Sequence, residues 1–422
     1  MNKKICKELI SIAFPAMGEN LLQMLMGMVD SYLVASLGIV ALSGVSIANN
    51  LLAVYQAVFI ALAAAVSSQL AHVVGKEKGM QITAIVTDSV KLTVYVGVFL
   101  GILAVMLGPT LLTSLGAERE VAQLGGLYLI LVGGSILLLG LMTCLGGILR
   151  TLGQPRYPMY ISLFSNLLNA VFSAIAVFVL HTGVAGVAFG TILSRIIGCG
   201  LLWSRLSISI KPSAWSVDKE LVRLALPAIG ERLMMRAGDV VIVGMITGLG
   251  TAVVAGNAIG ETITQFNYMP TLGISVATLI MTAKSRQDSL AVQRIYRIGL
   301  GLSLVFMFVI GGISYLAGPL LISLFTMDVQ VAQASQTVLL YSVLGVPFTA
   351  ATLVFTGLWQ GMGNARLPFY ATGIGMWVVR IGLAYFLIKN FQLGLPSIWL
   401  ATIVDNAFRA SLLYVRYRYS TG

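Results

Sequence analysis

Charge is what this sequence has least of. Asp, Glu, Lys and Arg together make up 10% of its 422 residues, against roughly 25% in soluble domains. Histidine and cysteine are scarcer still, with two and three copies. Cys6, Cys144 and Cys199 form no CxxC pair, which excludes a disulfide framework and a Cys/His metal site. His72 and His181 stand singly near predicted helix ends and are weak as ligands or shuttles. There is no Walker A sequence, no HExxH and no GxSxG. ATP-driven pumping and membrane hydrolysis thereby lose their main support.

What is present in abundance is apolar surface, with 58% hydrophobic residues and a mean hydropathy of +0.94. The useful unit in such a chain is the stretch of about 20 residues that crosses a bilayer. Spanning segments must be helices or a closed barrel, because lipid offers no partner to a bare peptide group. The apolar runs are too long for barrel strands and do not alternate in polarity, so they are helices. Twelve are expected, near 9–35, 43–72, 84–113, 119–145, 157–180 and 184–206, then 219–246, 253–282, 290–318, 332–360, 366–390 and 394–417. The fold class is an all-α membrane protein: an N-lobe at 1–206, a cytoplasmic linker at 207–218 and a C-lobe at 219–422.

Lys and Arg outnumber Asp and Glu by 26 to 15, and they cluster in alternate connections. One set holds Lys3, Lys4, Lys7, Lys76, Lys78, Arg150, Arg156, Arg205, Lys211 and Lys284; the other holds only Arg119 and Lys389. The positive-inside rule accounts for this without nucleic acid, and it puts both termini in the cytoplasm. The basic N-terminus followed by a long apolar run reads as an uncleaved signal anchor.

The two halves repeat one another. Lys7-Glu8-Leu9 recurs as Lys219-Glu220-Leu221, 212 positions on. At the same shift Pro15, Gly18, Glu19 and Gly44 match Pro227, Gly230, Glu231 and Gly256, and later Arg150-Thr-Leu-Gly153 echoes Gln360-Gly-Met-Gly363. Six spans per half is an even number, so the repeats are parallel. That is a transporter architecture, with its site between the halves.

Polar groups inside such helices are costly and functional by default. In the first helix Glu19, Gln23, Gly27 and Asp30 share one face, and Asp30 has no Lys or Arg within reach along that helix. The alternative is a protonated carboxyl that merely packs helices. Ser162, Asn166, Asn169 and Ser173 form a second stripe in the fifth helix, which Thr191 of the sixth could face. These oxygens either glue helices together or complete a small-cation or proton site at Asp30. The C-terminal half carries Glu231, Arg232, Arg236, Asp239, Glu261, Arg380, Asp405 and Arg409. Four acids balance four bases, which favours a structural ion-pair network with Arg236 and Asp239 paired at i, i+3; a gate or relay is the alternative. Met17, Met24 and Met28 make a helix face suited to packing or to adaptable ligand contact.

Phe14-Pro15-Ala16, Met26-Gly-Met-Val-Asp30, Leu37-Gly38 and Ala48-Asn49 resemble the first two helices of multidrug and toxic compound extrusion (MATE) transporters. Leu149-Arg150-Thr-Leu-Gly153, Pro158-Met-Tyr160, Asn169 and Gly183-Val-Ala-Gly186 through Thr191 continue the pattern. The resemblance implies two six-helix lobes in a V, opening alternately to either side, with export driven by inward H⁺ or Na⁺. It maps the cation or proton site onto Asp30, Asn169 and Thr191, with Ser173 where many members carry a second aspartate. That departure favours H⁺. Glu19, Gln23, Asn49 and Asn166 make up the N-lobe polar stripe available to substrate. The branch that uses a helix-7 glutamate and a helix-10 aspartate is poorly matched, since Met235 and Thr349 stand at about those positions; the DNA-damage-inducible (DinF-like) branch, which relies on the N-lobe aspartate, fits better.

The expectation is therefore a monomeric antiporter in the cytoplasmic (inner) membrane, without cofactor and not an enzyme, that exports cationic or amphiphilic small molecules. The alternatives are a lipid-linked oligosaccharide or lipid II flippase, which usually has fourteen spans, and a membrane-embedded enzyme or scaffold.

Overall fold

Long apolar runs, broken only where glycine or charge intervenes, become long helices. The computed structural model describes residues 2–76, 79–114, 118–206 and 216–421; Lys78, Lys211 and positions 207–215 of the linker lie outside them. The N-terminal half holds α1 (Asn2–Ala35), α2 (Ile39–Val74), α3 (Gly79–Ser114), α4 (Arg119–Tyr128), α5 (Ile136–Thr151), α6 (Arg156–Ala174) and α7 (Gly183–Ser204). The C-terminal half holds α8 (Lys219–Thr247), α9 (Thr251–Lys284), α10 (Ser289–Leu316), the short α11 (Gly318–Ser323), α12 (Val329–Leu344), α13 (Val346–Gly361), α14 (Arg366–Ile374), α15 (Ile381–Phe391) and α16 (Leu395–Thr421). Wider π-helical turns at Leu129–Gly133, Ile175–Val179 and Gly375–Arg380 extend α4 and α6 and join α14 to α15.

Among the described residues, eight helices are long and apolar enough to span a bilayer. Two bent pairs, Arg119–Gly133 with Ile136–Thr151 at 45° and Val329–Leu344 with Val346–Gly361 at 58°, bring the number to ten. The remaining two of the expected twelve are α8 and α9, of 29 and 34 residues, which carry more polar and charged groups. Outward-facing Phe99, Leu167, Val240 and Val378 are each more than 60% exposed, as a lipid-facing surface requires.

The chain divides into two compact units, Gly18–Ala225 and Met1–Met17 with Leu226–Gly422. The division falls inside α1 and α8 rather than in the linker. Local packing explains it. The first turns of α1 lie so close to α9 that a Cβ on Gly273 would stand 2.6 Å from the carbonyl oxygen of Ala13. At the start of α8, the backbone N–H of Asp218 donates to Asp88 Oδ2 at 3.1 Å, while its carboxylate accepts from Gln69 Nε2.

The internal repeat is written into the backbone. All eight positive-φ residues among those described fall into four repeat pairs: Gly38 with Gly250 (111° and 113°), Gly153 with Gly363 (89° and 77°), His181 with Gln392 (50° each) and Gly183 with Gly394 (64° each). Glycine is favoured at such angles because a Cβ would clash. Close approach repeats too. A Cβ on Gly44 would stand 2.6 Å from Val121 O on α4, and one on Gly256 2.6 Å from Val331 O on α12. Each unit thus seats its second helix on the start of its fourth span through one bare backbone.

Candidate functional site

In the Gly18–Ala225 unit, α1 presents three polar residues to three different helices. Glu19 forms an ion pair with Arg150 of α5. Gln23 Oε1 accepts from Gln56 Nε2 of α2 at 3.2 Å. Deeper along the same face, both oxygens of Asp30 accept from Asn169 Nδ2 of α6, at 3.1 and 3.2 Å. Asn169 in turn accepts at Oδ1 from the hydroxyl of Ser173, 3.4 Å away. Asn169 is 5% exposed and Ser173 fully buried. The fifth-span stripe thus meets the first-span stripe as a chain of hydrogen bonds, Ser173 to Asn169 to Asp30.

Thr191 of α7 lies beside this chain. Its hydroxyl donates to Val187 O one turn back, and the Tyr128 hydroxyl lies near it. Tyr128 closes α4, where the helix widens into a π turn, and it lies within electrostatic reach of Asp30. The other two stripe residues are not drawn in. Asn49 is exposed on α2, and Asn166 has a buried Nδ2 without an acceptor.

Two residues of this cluster escape a reading of the sequence: Tyr128 and Arg195. Asp30 has no base within reach along its own helix, but α7 supplies one that acts on it electrostatically. Arg195 acts electrostatically on Asp30, Tyr128 and Cys199, yet among the described residues it forms no ion pair within 4.0 Å. Its Nη1 is buried and has no acceptor. The signal was available, since Arg195 follows Thr191 by four residues and so shares its helix face.

The C-terminal unit treats the equivalent carboxylate differently. Glu231, the repeat mate of Glu19, is 6% exposed. It accepts from Gln360 Nε2 at 3.4 Å and from the Thr372 hydroxyl at 3.3 Å. Gln360 stands where its repeat mate is Arg150, so an ion pair in one unit is a neutral contact in the other. Arg232 and Arg409 act on Glu231 only electrostatically.

The remaining charges are sorted into pairs. Arg409 Nη2 donates to Asp405 Oδ2 at 2.9 Å and to Asn406 Oδ1 at 3.0 Å. Asp239 pairs with Arg380 at 3.5 Å, not with Arg236 as the i, i+3 spacing suggests. The π turn carrying Arg380 brings a base from another helix, and Arg236 forms no ion pair within 4.0 Å among the described residues. Glu261 lies near Asn257 one turn back on α9. Met235 and Thr349 both face α16: Arg409 Nη1 reaches Met235 Sδ at 3.4 Å, and Asn406 Nδ2 donates to Thr349 Oγ1 at 3.2 Å.

A repeated helical membrane protein that holds carboxylates inside each unit has the build of a transporter. Comparison with known proteins gives the family. The MatE family signature matches residues 15–175 and again 227–386. A probable multidrug resistance protein NorM of Thermotoga maritima is 31% identical over 423 residues, covering 97% of this chain and 91% of its own. The uncharacterized transporter YisQ of Bacillus subtilis is 22% identical over 97% of this chain and 93% of its own. In structure, the chain resembles a MOP superfamily transporter from Pyrococcus furiosus with a TM-score of 0.91 at 21% identity, over 99% of this chain and 96% of that one. A multidrug resistance MATE family transporter in an outward-facing conformation matches with a TM-score of 0.92 at 21% identity, over the same shares. At that identity the structural likeness establishes the fold alone. The chain belongs to the MatE family, and it is a membrane transporter, not an enzyme.

Proposed function

We propose that this protein is an antiporter that exports cationic or amphiphilic small molecules in exchange for an inward-moving cation, H⁺ in preference to Na⁺. The observation that carries the reading is Asp30, a carboxylate inside the N-terminal unit held by the amide of Asn169 and by no ion pair within 4.0 Å among the described residues. An acid so placed can bind and release a single charge without dismantling its surroundings. Substrate and coupling ion then exclude one another because each favours a different charge state and conformation of the same lobe.

Met235 and Thr349, in place of acids, together with the N-terminal Asp30, support assignment to the DinF-like branch. The alternation of basic connections supports an orientation with both termini in the cytoplasm. A flippase of lipid-linked oligosaccharides is less well supported, because twelve spans leave no room for the extra pair.

The test is Asp30→Asn in proteoliposomes with imposed ΔpH or Na⁺ gradients. The amide keeps size and hydrogen-bonding capacity but cannot cycle a charge. Gradient-driven export of a cationic dye should be abolished while the protein accumulates normally, and Asp30→Glu should retain part of it. Export by the Asn variant at the wild-type rate would rule Asp30 out and move attention to Glu231, Asp239 and Glu261.

A further inference from the structure

Between Glu120 and Asp218 the chain contains no Asp or Glu, and α6 and α7 lie wholly inside that stretch. Their basic ends meet. Arg156 opens the span Arg156–Val179, and Arg205 directly follows the span Gly183–Ser204. The Arg205 guanidinium lies 4.7 Å from the centroid of the Tyr157 ring, a contact that holds a cation in place without neutralising it. Both arginines are exposed, and neither forms an ion pair within 4.0 Å among the described residues. Glu19, the acid that reaches α5 from α1, is already answered by Arg150.

Beyond the arginines the surface is apolar. Tyr160, Phe164, Leu167 and Val171 follow Arg156 at steps of four and three residues, on one face of α6, and each is at least 46% exposed. From Tyr160 to Val171 the stripe runs about 16 Å at 1.5 Å per residue, close to one leaflet of a hydrocarbon core about 30 Å thick. Two fixed positive charges at the head of such a stripe match a phospholipid in both its parts, an anionic headgroup and an acyl chain. A free phosphate would have no use for the stripe. The two arginines also belong to the basic set of connections, on the side where the leaflet carries anionic lipid.

The C-terminal unit supplies a contrast. Arg366 and Arg416 repeat Arg156 and Arg205 at shifts of 210 and 211, the shifts that relate Gly153 to Gly363 and Gly183 to Gly394. Both are exposed, but Leu367 stands at the Tyr157 position, so the ring beneath Arg205 has no counterpart there.

We propose that Arg156, Tyr157 and Arg205 form a binding site for an anionic phospholipid, its phosphate between the two guanidiniums and one acyl chain along the Tyr160–Val171 stripe. The site lies on the N-terminal unit alone and is independent of any coupling role of Asp30.

A basic residue at an anionic membrane surface contributes about fivefold in affinity, and two contribute about 30-fold. Leu201, one turn before Arg205, is exposed and takes the reporter. The purified full-length Leu201→Trp protein is reconstituted in phosphatidylcholine with increasing dibrominated phosphatidylglycerol or dibrominated phosphatidylcholine. Quenching of the added tryptophan is read as the difference from the parent protein. Phosphatidylglycerol should quench with at least about 10-fold higher apparent affinity. Adding Arg156→Gln and Arg205→Gln should bring the two lipids within about twofold of one another. Tyr157→Leu should lose about two- to fivefold. Arg366→Gln with Arg416→Gln removes the same charge from the other unit and should leave the preference as it was, as should inorganic phosphate at constant ionic strength.

Equal quenching by the two lipids in the Leu201→Trp protein overturns the proposal by itself. So does a preference that survives loss of Arg156 and Arg205, or one lost equally with Arg366 and Arg416, since either makes it a property of net charge. Relief of quenching by inorganic phosphate overturns it too, because the pair would then be a site for the free ion.

Discussion

Replacing Asp405 by Asn removes the one charge that, among the described residues, pairs with Arg409 within 4.0 Å, at a place neither can leave. The two residues are 0% and 7% exposed. Arg409 Nη2 sits 2.9 Å from Asp405 Oδ2, and Nε lies 2.9 Å from Oδ1. There is no slack for rearrangement, since a Cβ on Gly375 would stand 2.2 Å from Asp405 Oδ1 and 2.8 Å from Arg409 Cγ. After the substitution the guanidinium keeps the Asn406 carbonyl, the Met235 sulfur and at most one neutral amide oxygen at position 405, but no paired charge. Breaking one side of a buried pair costs about 3–5 kcal/mol, because the surviving charge is uncompensated. Asp405→Asn with Arg409→Met removes both charges and should recover more than half of that loss. A double-mutant cycle on thermal unfolding in detergent, followed by tryptophan fluorescence, measures it. Trp359 donates to Leu413 O on the same helix at 3.1 Å and reports locally. Stability of Asp405→Asn within about 0.5 kcal/mol of wild type, the range of an ordinary surface change, would refute the argument. So would a double variant weaker than either single one.

The Asp239–Arg380 pair should matter less. The Asp239 side chain is 41% exposed, so Arg380→Gln should cost no more than about 1 kcal/mol in the same assay. Glu19→Gln strands Arg150, whose side chain is 11% exposed, and should cost about 1.5–3 kcal/mol. Glu231→Gln, whose direct partners are the neutral Gln360 and Thr372, should cost less than half as much; equal losses at the two positions would contradict the contrast between the units. Gly256→Leu drives a side chain into Ala334 and the α12 backbone. It should lower stability by about 1–3 kcal/mol, and Gly44→Leu should do the same in the other unit.

Much of the fold is legible because lipid is an exacting solvent. It demands long uninterrupted helices, and the Gly and Pro breaks between apolar runs mark where they end. The repeat is legible because Gly38, Gly153 and their mates are fixed by backbone geometry and not by any ligand. Asp30 and Asn169 meet because each lies on a polar stripe that can be counted out at three and four residues. Counting along one helix fails wherever the partner comes from another. Arg236 is the base the spacing offers Asp239, but a π turn delivers Arg380 to it. Arg195 is invisible to a search for bases along α1, and Tyr128 looks like one more aromatic in an apolar run. The 58° bend in the tenth span falls at Gly345-Val-Pro347, a break that its proline announces; the 45° bend in the fourth span falls at Gly133-Gly134-Ser135, with no proline to mark it.

The division of the chain inside α1 and α8 bears on how such a molecule is assembled. Residues up to Met17 belong to the unit built mainly from the C-terminal half, and those up to Ala225 to the other unit. Equivalent helices thus each place their leading segment in the unit that holds the remainder of the other. Cutting the chain at the linker would therefore separate no finished piece from another. A fragment ending at 206 would lack the opening of α8 that completes its own unit, and would carry an opening of α1 that completes its neighbour's. Each half keeps core clusters of its own, yet the Gly18–Ala225 unit takes in residues beyond the linker, so its biosynthesis is not over until α8 has begun to emerge.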